Sequence, residues 1–193
     1  MGTTYNILAI SGSLRRHSSN TEALRAAARL APASASVTIF DGLGALPHFN
    51  PDLDGEGAEP PAEIGDFRAQ IAAADALLIC SPEYAHGVPG SLKNALDWLV
   101  STPEMLFKPI GLLNVSPRST HAYASLAETL RTMSTVLVTG ASVELALTGR
   151  GLDAEAIAGT PELAERLRAS LDALLEAAED YRQRREELRA GTG

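Results

Sequence analysis

"YNILAISGSLRRHSSNTEALRAAARL", residues 5–30, decides the fold. Its first six residues form an unbroken apolar run bar one Asn, the signature of a strand covered on both faces. Its last ten read as an Ala-rich helix. Between them, residues 11–20 carry four Ser, two Arg, a Gly and an Asn. A strand, a polar loop and a helix in that order form the first half of a βαβ unit, and in a parallel sheet the loop at a strand's carboxyl end is where ligands bind. The helix beginning near residue 20 offers unpaired backbone N–H groups and a partial positive charge, which together favour a phosphate. Ser13, Ser18, Ser19 and Thr21 add hydroxyls, Asn20 an amide and Arg15 a guanidinium. Ser19 with Glu22 three residues on also fits a capping box, which gives Ser19 mainly to starting the helix. Neither G-x-x-x-x-G-K-[ST] nor G-x-G-x-x-G follows the first strand, so the loop is neither a P-loop nor a dinucleotide fingerprint.

The same alternation continues outward. "SVTIFD" (36–41), "DALLICS" (75–81), "PIGLLNVS" (109–116) and "ASVELALT" (141–148) read as further strands. "PAEIGDFRAQIAAA", "SLKNALDWLVS" (91–101), "YASLAETLRTMSTVL" and the closing stretch from Thr160 to Ala190 read as helices. Five strands and five helices with right-handed crossovers make a three-layer α/β/α sandwich compatible with the flavodoxin-like order 2-1-3-4-5. No repeat or linker divides the 193 residues, which fit one domain over 1–193.

Composition narrows the partners. A formal net charge of -8 argues against nucleic acid or an anionic membrane, both of which demand a basic face. No apolar stretch nears the roughly 20 residues that cross a bilayer, and the N-terminus lacks the basic and long apolar regions of a secretory leader, so cytoplasmic residence is expected. The single cysteine, Cys80, permits no internal disulfide or cysteine cluster and reads as a small buried hydrophobe. His17, His48, His86 and His121 show no helical metal-ligand spacing and read as loop residues, with no metal expected. His86 and His121 follow strands at the expected cleft.

A second loop, "SPEYAHGVPGSLKNALDW" (81–98), leaves strand three. In the order 2-1-3-4-5 it faces the first loop at the switch point. Pro82, Gly87, Pro89 and Gly90 shape a backbone that can approach a flat ligand, while Tyr84 and His86 supply rings. A serine hydrolase built on Ser11 or Ser13 lacks any local signature for its His and Asp partners, and a phosphoacceptor receiver lacks the Asp at the end of strand three.

Together "GSLRRHSSN" and "SPEYAHGVPGSLKNALDW" resemble the NADPH-dependent FMN reductase family, which includes flavodoxin-like quinone, azo and chromate reductases. That family carries G-S-x-R-x-x-S-x-N after strand one and P-E-Y-N-x-x-x-P-G-x-L-K-N-x-x-D-W after strand three. "ALPHFNPDLD" (45–54) resembles its segment after strand two, and the likeness spans roughly residues 5–140. The resemblance implies bound FMN, NADPH or NADH as co-substrate, a small-molecule electron acceptor such as a quinone, free flavin or azo compound, and a homodimer or dimer of dimers. By position, Ser13, Arg15, Ser18 and Asn20 match the family's FMN-phosphate loop, with Ser19 and Thr21 at the helix start. Pro82, Glu83 and Tyr84 match the loop beside the isoalloxazine ring, which continues through Ala85, His86 and Gly87; Ser116 keeps its place at the end of strand four, and Pro117 and Arg118 alter the third wall of the flavin site.

Two positions depart from the family. Ala85 stands where Asn is usual, so a side-chain contact to the flavin is lost. "SPRSTHAY" (116–123) replaces a glycine-rich S-T-G-x-x-G-G stretch. With FMN supplying the redox chemistry, no side chain is expected to be catalytic in its own right. The rival reading is an FMN-binding electron carrier or regulator without a nicotinamide site. Leu46 to Leu53 and Trp98 are candidates either for a subunit contact or for local packing.

Overall fold

A computed structural model describes residues 4–55 and 57–190, with the side chains of 188–190 excepted. β1 (Tyr5–Ser11), β2 (Ala35–Phe40), β3 (Ala76–Cys80), β4 (Pro109–Asn114) and the short β5 (Val136–Leu137) run parallel, and the sheet order is β2-β1-β3-β4-β5, the expected flavodoxin-like arrangement. β1 lies centrally, pairing Ile10 with Phe40 on one side and Ile10 with Ile79 on the other. β3 is buried at every residue, as a strand covered by helices on both faces must be. β2 alternates instead, because it forms the edge.

The two layers are chemically distinct. On one face Ile7, Ala9, Leu78 and Cys80 pack under α1 (Ser19–Leu30) and the 30-residue α6 (Pro161–Ala190). On the other, Leu8, Ile10, Leu77 and Ile79 pack under α2 (Ala62–Ala73), α3 (Gly90–Asp97) and α4 (Thr120–Thr132). Leu92 and Leu96 bury the inner face of α3, and Leu99 continues it in the turn that follows. Cys80 is fully buried, as expected.

The fifth strand departs from the expectation over 141–148, and the helix expected to run to residue 137 stops at Thr132. Ser134 adopts φ 59, which ends the helix, and the chain turns at once into β5 (Val136–Leu137) beside Pro109 and Ile110. A 3-10 turn at Thr139–Ala141 then interrupts the strand before β6 (Val143–Glu144) pairs with Leu113 and Asn114. Gly111 sits opposite the interruption: a Cβ there would lie 2.9 Å from the Ala141 carbonyl oxygen and 3.0 Å from Leu78 Cδ1. A sixth helix, α5 (Ala154–Gly159), precedes α6 and starts at Asp153, whose carboxylate accepts the Ala156 N–H at 2.8 Å.

Candidate functional site

Three loops leave the carboxyl ends of adjacent strands. Ser11 of β1 pairs with Cys80 of β3, and Cys80 with Leu113 of β4, so residues 12–18, 81–89 and 115–119 start side by side. The first two run close enough that Gly12 has no room for a side chain: a Cβ would stand 2.7 Å from Ser81 Oγ. The Gly12 N–H donates to the Cys80 carbonyl at 2.8 Å and fixes that approach.

The first loop is a cluster of buried polar groups: Ser11, Ser13, Ser18 and Asn20 are each less than a tenth exposed. Ser11 Oγ and Thr21 Oγ1 share a hydrogen bond at 2.8 Å, Ser13 N–H donates to Ser11 Oγ at 3.3 Å, and Arg15 N–H donates to Ser13 Oγ at 3.3 Å. The Cys80 thiol, its ionisation pushed up by burial, donates to Asn20 Oδ1 at 3.2 Å and orients the amide. Leu14, Arg15 and Arg16 are exposed.

The expected capping box is absent, and the reason lies outside the loop. The cap position is Ser18 rather than Ser19, and the Ser18 hydroxyl makes no capping bond. Glu22 turns away to the Arg25 guanidinium at 2.6 Å and the first N–H of α5, at Ala154, at 2.9 Å. The first bond of α1 runs from Glu22 N–H to Ser18 O, so the N–H groups of Ser19, Asn20 and Thr21 have no protein acceptor among the described residues. An uncapped helix end ringed by buried hydroxyls and an amide is a donor set that suits a phosphate monoester, so the loop fits FMN at its phosphate end.

The second loop is a two-residue hairpin. Tyr84 N–H donates to Gly87 O at 3.1 Å and Gly87 N–H to Tyr84 O at 2.9 Å, with Ala85 at φ 49 and His86 at φ 59. Both central residues are left-handed, as a type I′ turn requires, and Asn and Gly are the residues that tolerate this. The usual family Asn at position 85 therefore has a backbone reason, beyond any flavin contact, that Ala85 does not meet. Tyr84 remains half exposed beside the turn.

Glu83, in the loop expected beside the ring, turns its carboxylate to α4, where it accepts the Ala122 N–H at 2.8 Å and caps the first turn. His86 and His121 stack at 4.4 Å between ring centroids and 16° between planes, tying the same two segments together. The third loop is held in turn by Ser116 N–H donating to Asn114 Oδ1 at 3.0 Å and Ser119 N–H donating to Ser116 O at 2.9 Å, with Arg118 exposed. Beside it a hollow of about 340 Å³ opens between Asn114, Ser119, Tyr123 and Glu144, which residue patterns do not reveal because β6 forms one wall.

Sequence patterns also leave the role of Asn94 and Trp98 hidden. Asn94 Nδ2 and Trp98 Nε1 both donate to the Pro47 carbonyl at 2.9 Å, and Asn94 Oδ1 accepts Phe49 N–H at 2.7 Å, which pins the segment after β2 to α3. Trp98 is fully buried and meets the Phe49 ring edge-on, so it packs locally. Among the described residues no group of three His, Cys, Asp or Glu could hold a metal ion, and no helix is long and apolar enough to cross a membrane.

Comparison with known proteins agrees with this geometry. Residues 5–147 match the model of the NADPH-dependent FMN reductase family. An NAD(P)H-dependent FMN reductase of Pseudomonas aeruginosa is 42% identical over 118 residues, covering 60% of this chain and 62% of that protein. A quinone reductase of Escherichia coli K12 is 36% identical over 104 residues, covering 54% and 55%. The aligned parts thus span less than two thirds of these relatives' length. The flavoenzyme NAD(P)H:(acceptor) oxidoreductase FerB of Paracoccus denitrificans superposes with a TM-score of 0.72 at 26% identity, over 92% of this chain and 99% of that one. With the family's model matching three quarters of the chain and both loop motifs lying side by side at the sheet's carboxyl edge, the protein belongs to the NADPH-dependent FMN reductase family.

Proposed function

We propose that the chain is an FMN-dependent oxidoreductase that takes electrons from NADPH or NADH and passes them to a small acceptor, quinones, free flavin and azo compounds being the class. The observation that carries the reading is the open end of α1, with its free N–H groups ringed by buried Ser13, Ser18 and Asn20 next to the β3 hairpin. FMN, when bound, would supply acceptance of hydride from the nicotinamide and its onward transfer as an electron pair.

The chain's own residues bind and orient. Ser13, Arg15, Ser18, Ser19, Asn20 and Thr21 hold the phosphate through side-chain donors and the helix end. Pro82 and the hairpin from Tyr84 to Gly87 form a wall for the ring, with Glu83 acting from behind by locking that wall to α4. Ser116 and Arg118 stand at the third wall, and Arg118, Arg15 and Arg16 are the cations available to a nicotinamide cofactor's phosphate or to charge on the reduced ring. One flavin-binding unit over 1–193, residence in the cytoplasm where nicotinamide is reduced, and self-association as a homodimer or dimer of dimers complete the reading.

Purified protein should be yellow, bleach rapidly on adding NADPH or NADH without air, and recover colour when a benzoquinone is added. Flavin retained but not bleached would instead mark an electron carrier or regulator. Colourless protein with no affinity for added FMN would end the proposal.

A further inference from the structure

The opposite end of the sheet carries a second built feature that the flavin reading does not use. Between the residues leading into β4 and the last described turns of α6 lies a cavity of about 320 Å³, the lower end of the range for small-molecule sites. Lys108 lies at its base, fully buried, and its Nζ donates to the carbonyls of Ile71 at 2.7 Å and Ala74 at 2.6 Å at the end of α2. Tyr181 and Phe107 contribute rings. Arg185 stands 5.4 Å from the Tyr181 ring centre and Arg184 5.1 Å from that of Phe107. Glu104 is the one carboxylate among the lining residues, and neither arginine has a salt bridge among the described residues.

Two observations mark this as more than a surface dent. Phe107 adopts φ 57, a conformation that a bulky side chain rarely takes, held by its N–H donating to Ser134 O at 2.8 Å. Its ring is kept partly in solvent, between the cavity and a second hollow of about 130 Å³ that shares Phe107, Tyr181 and Arg184. Leu106 and Val136, each more than two fifths exposed, extend the apolar rim. Burial first and the neighbouring Arg185 second push the Lys108 ammonium pKa down to about 8 against the opposing pull of Asp75 and Glu104, so an anion held beside Arg184 and Arg185 eases the crowding of positive charge above the buried lysine.

We propose that this amino-end cavity binds a small aromatic anion, an aryl carboxylate, its ring against Phe107 and Tyr181 and its charge between Arg184 and Arg185. The site is independent of the flavin reading, since it lies at the other end of the strands. The probe is 2-naphthoate, titrated by calorimetry into the full chain saturated with FMN, with the uncharged 2-naphthalenemethanol as control.

Submillimolar binding of the carboxylate is expected, about tenfold tighter than the alcohol, with the flavin spectrum unchanged. Arg184→Gln combined with Arg185→Gln should weaken it about tenfold or more. Phe107→Asn keeps a side chain suited to the left-handed backbone, so the melting temperature should hold while binding is lost. Equal affinity for acid and alcohol, no binding at millimolar concentration, or indifference to the arginine pair would each overturn the assignment. So would light scattering showing that Phe107→Asn splits an oligomer, because the face would then be a subunit contact.

Discussion

Ala85 offers the sharpest test of the site's construction. It occupies the first central position of the Tyr84–Gly87 hairpin at φ 49. An L-residue with a Cβ costs roughly 1–2 kcal/mol in the left-handed region, a cost that Asn largely escapes and Gly avoids altogether. Ala85→Asn should therefore stabilise the protein by about 1 kcal/mol. Ala85→Gly recovers the same strain but loosens the unfolded chain by about 0.4–1 kcal/mol, leaving roughly half the gain. Ala85→Val places a β-branched side chain where it fits worst and should cost about 1 kcal/mol more than Ala. In a domain of this size 1 kcal/mol corresponds to roughly 2–4 °C in melting temperature, so the order Asn, Gly, Ala, Val should be resolved by calorimetry of the flavin-free chain. If the hairpin must be closed to receive the ring, the same 1 kcal/mol tightens FMN by at most about fivefold, read by fluorescence titration. A less stable Asn variant, or a Val variant as stable as the parent, would refute the assignment of strain to this turn.

Ser18→Ala separates ligand binding from helix capping: because the hydroxyl makes no capping bond, stability should change by less than about 0.5 kcal/mol, whereas a working cap loses about 1, and FMN affinity should fall about tenfold. Glu83→Ala should cost about 0.5–2 kcal/mol in urea unfolding through loss of the α4 cap, and Glu83→Gln, which keeps an oxygen for Ala122 N–H, should recover most of it. Lys108 gives a pH dependence of known sign. Its proton leaves the folded chain near pH 8 but the unfolded chain only near 10.5, so between those values the unfolded state binds more protons and stability rises with pH, by at most about 3 kcal/mol. Lys108→Met should abolish that rise, and a stability difference between the two proteins that stays flat from pH 7 to 10.5 would show that the lysine is not depressed.

What could be read in the chain follows from how local each signal is. The central strands announce themselves because burial on both faces leaves continuous apolar runs, and the order of the two loop motifs follows from the strands that precede them. The fifth strand does not, because its break at Thr139–Ala141 packs against Gly111, some 30 residues away on the neighbouring strand, whose missing side chain leaves room for the Ala141 carbonyl. Glu22 looks like a capping residue and would be one in an isolated helix, yet Ala154, 132 residues on, captures its carboxylate. Glu83 stands in the ring-side motif, yet its carboxylate caps a helix 39 residues later, a role the motif does not show. Composition shows that a loop is rich in donors. Which donors remain free for a ligand is decided by tertiary partners that no window of sequence contains.

On the proposed function, that distinction lets a chain of net charge -8 hold a phosphate. The loop after β1 offers chiefly backbone N–H groups and neutral hydroxyls, whose attraction fades within a turn of the helix end, so placement matters more than charge. Hence the locking of each part: Ser11 to Thr21, Cys80 to Asn20, Glu83 to α4. The arginines of that loop stay exposed, where solvent and salt weaken them. At the amino end the means are reversed: Lys108, tied to the Ile71 and Ala74 carbonyls, and the arginines Arg184 and Arg185, which lie over rings, gather cationic side chains around aromatic faces. A rigid dipolar cradle recognises one shape of anion, whereas a cluster of cations over aromatic faces accepts any flat anion that fits.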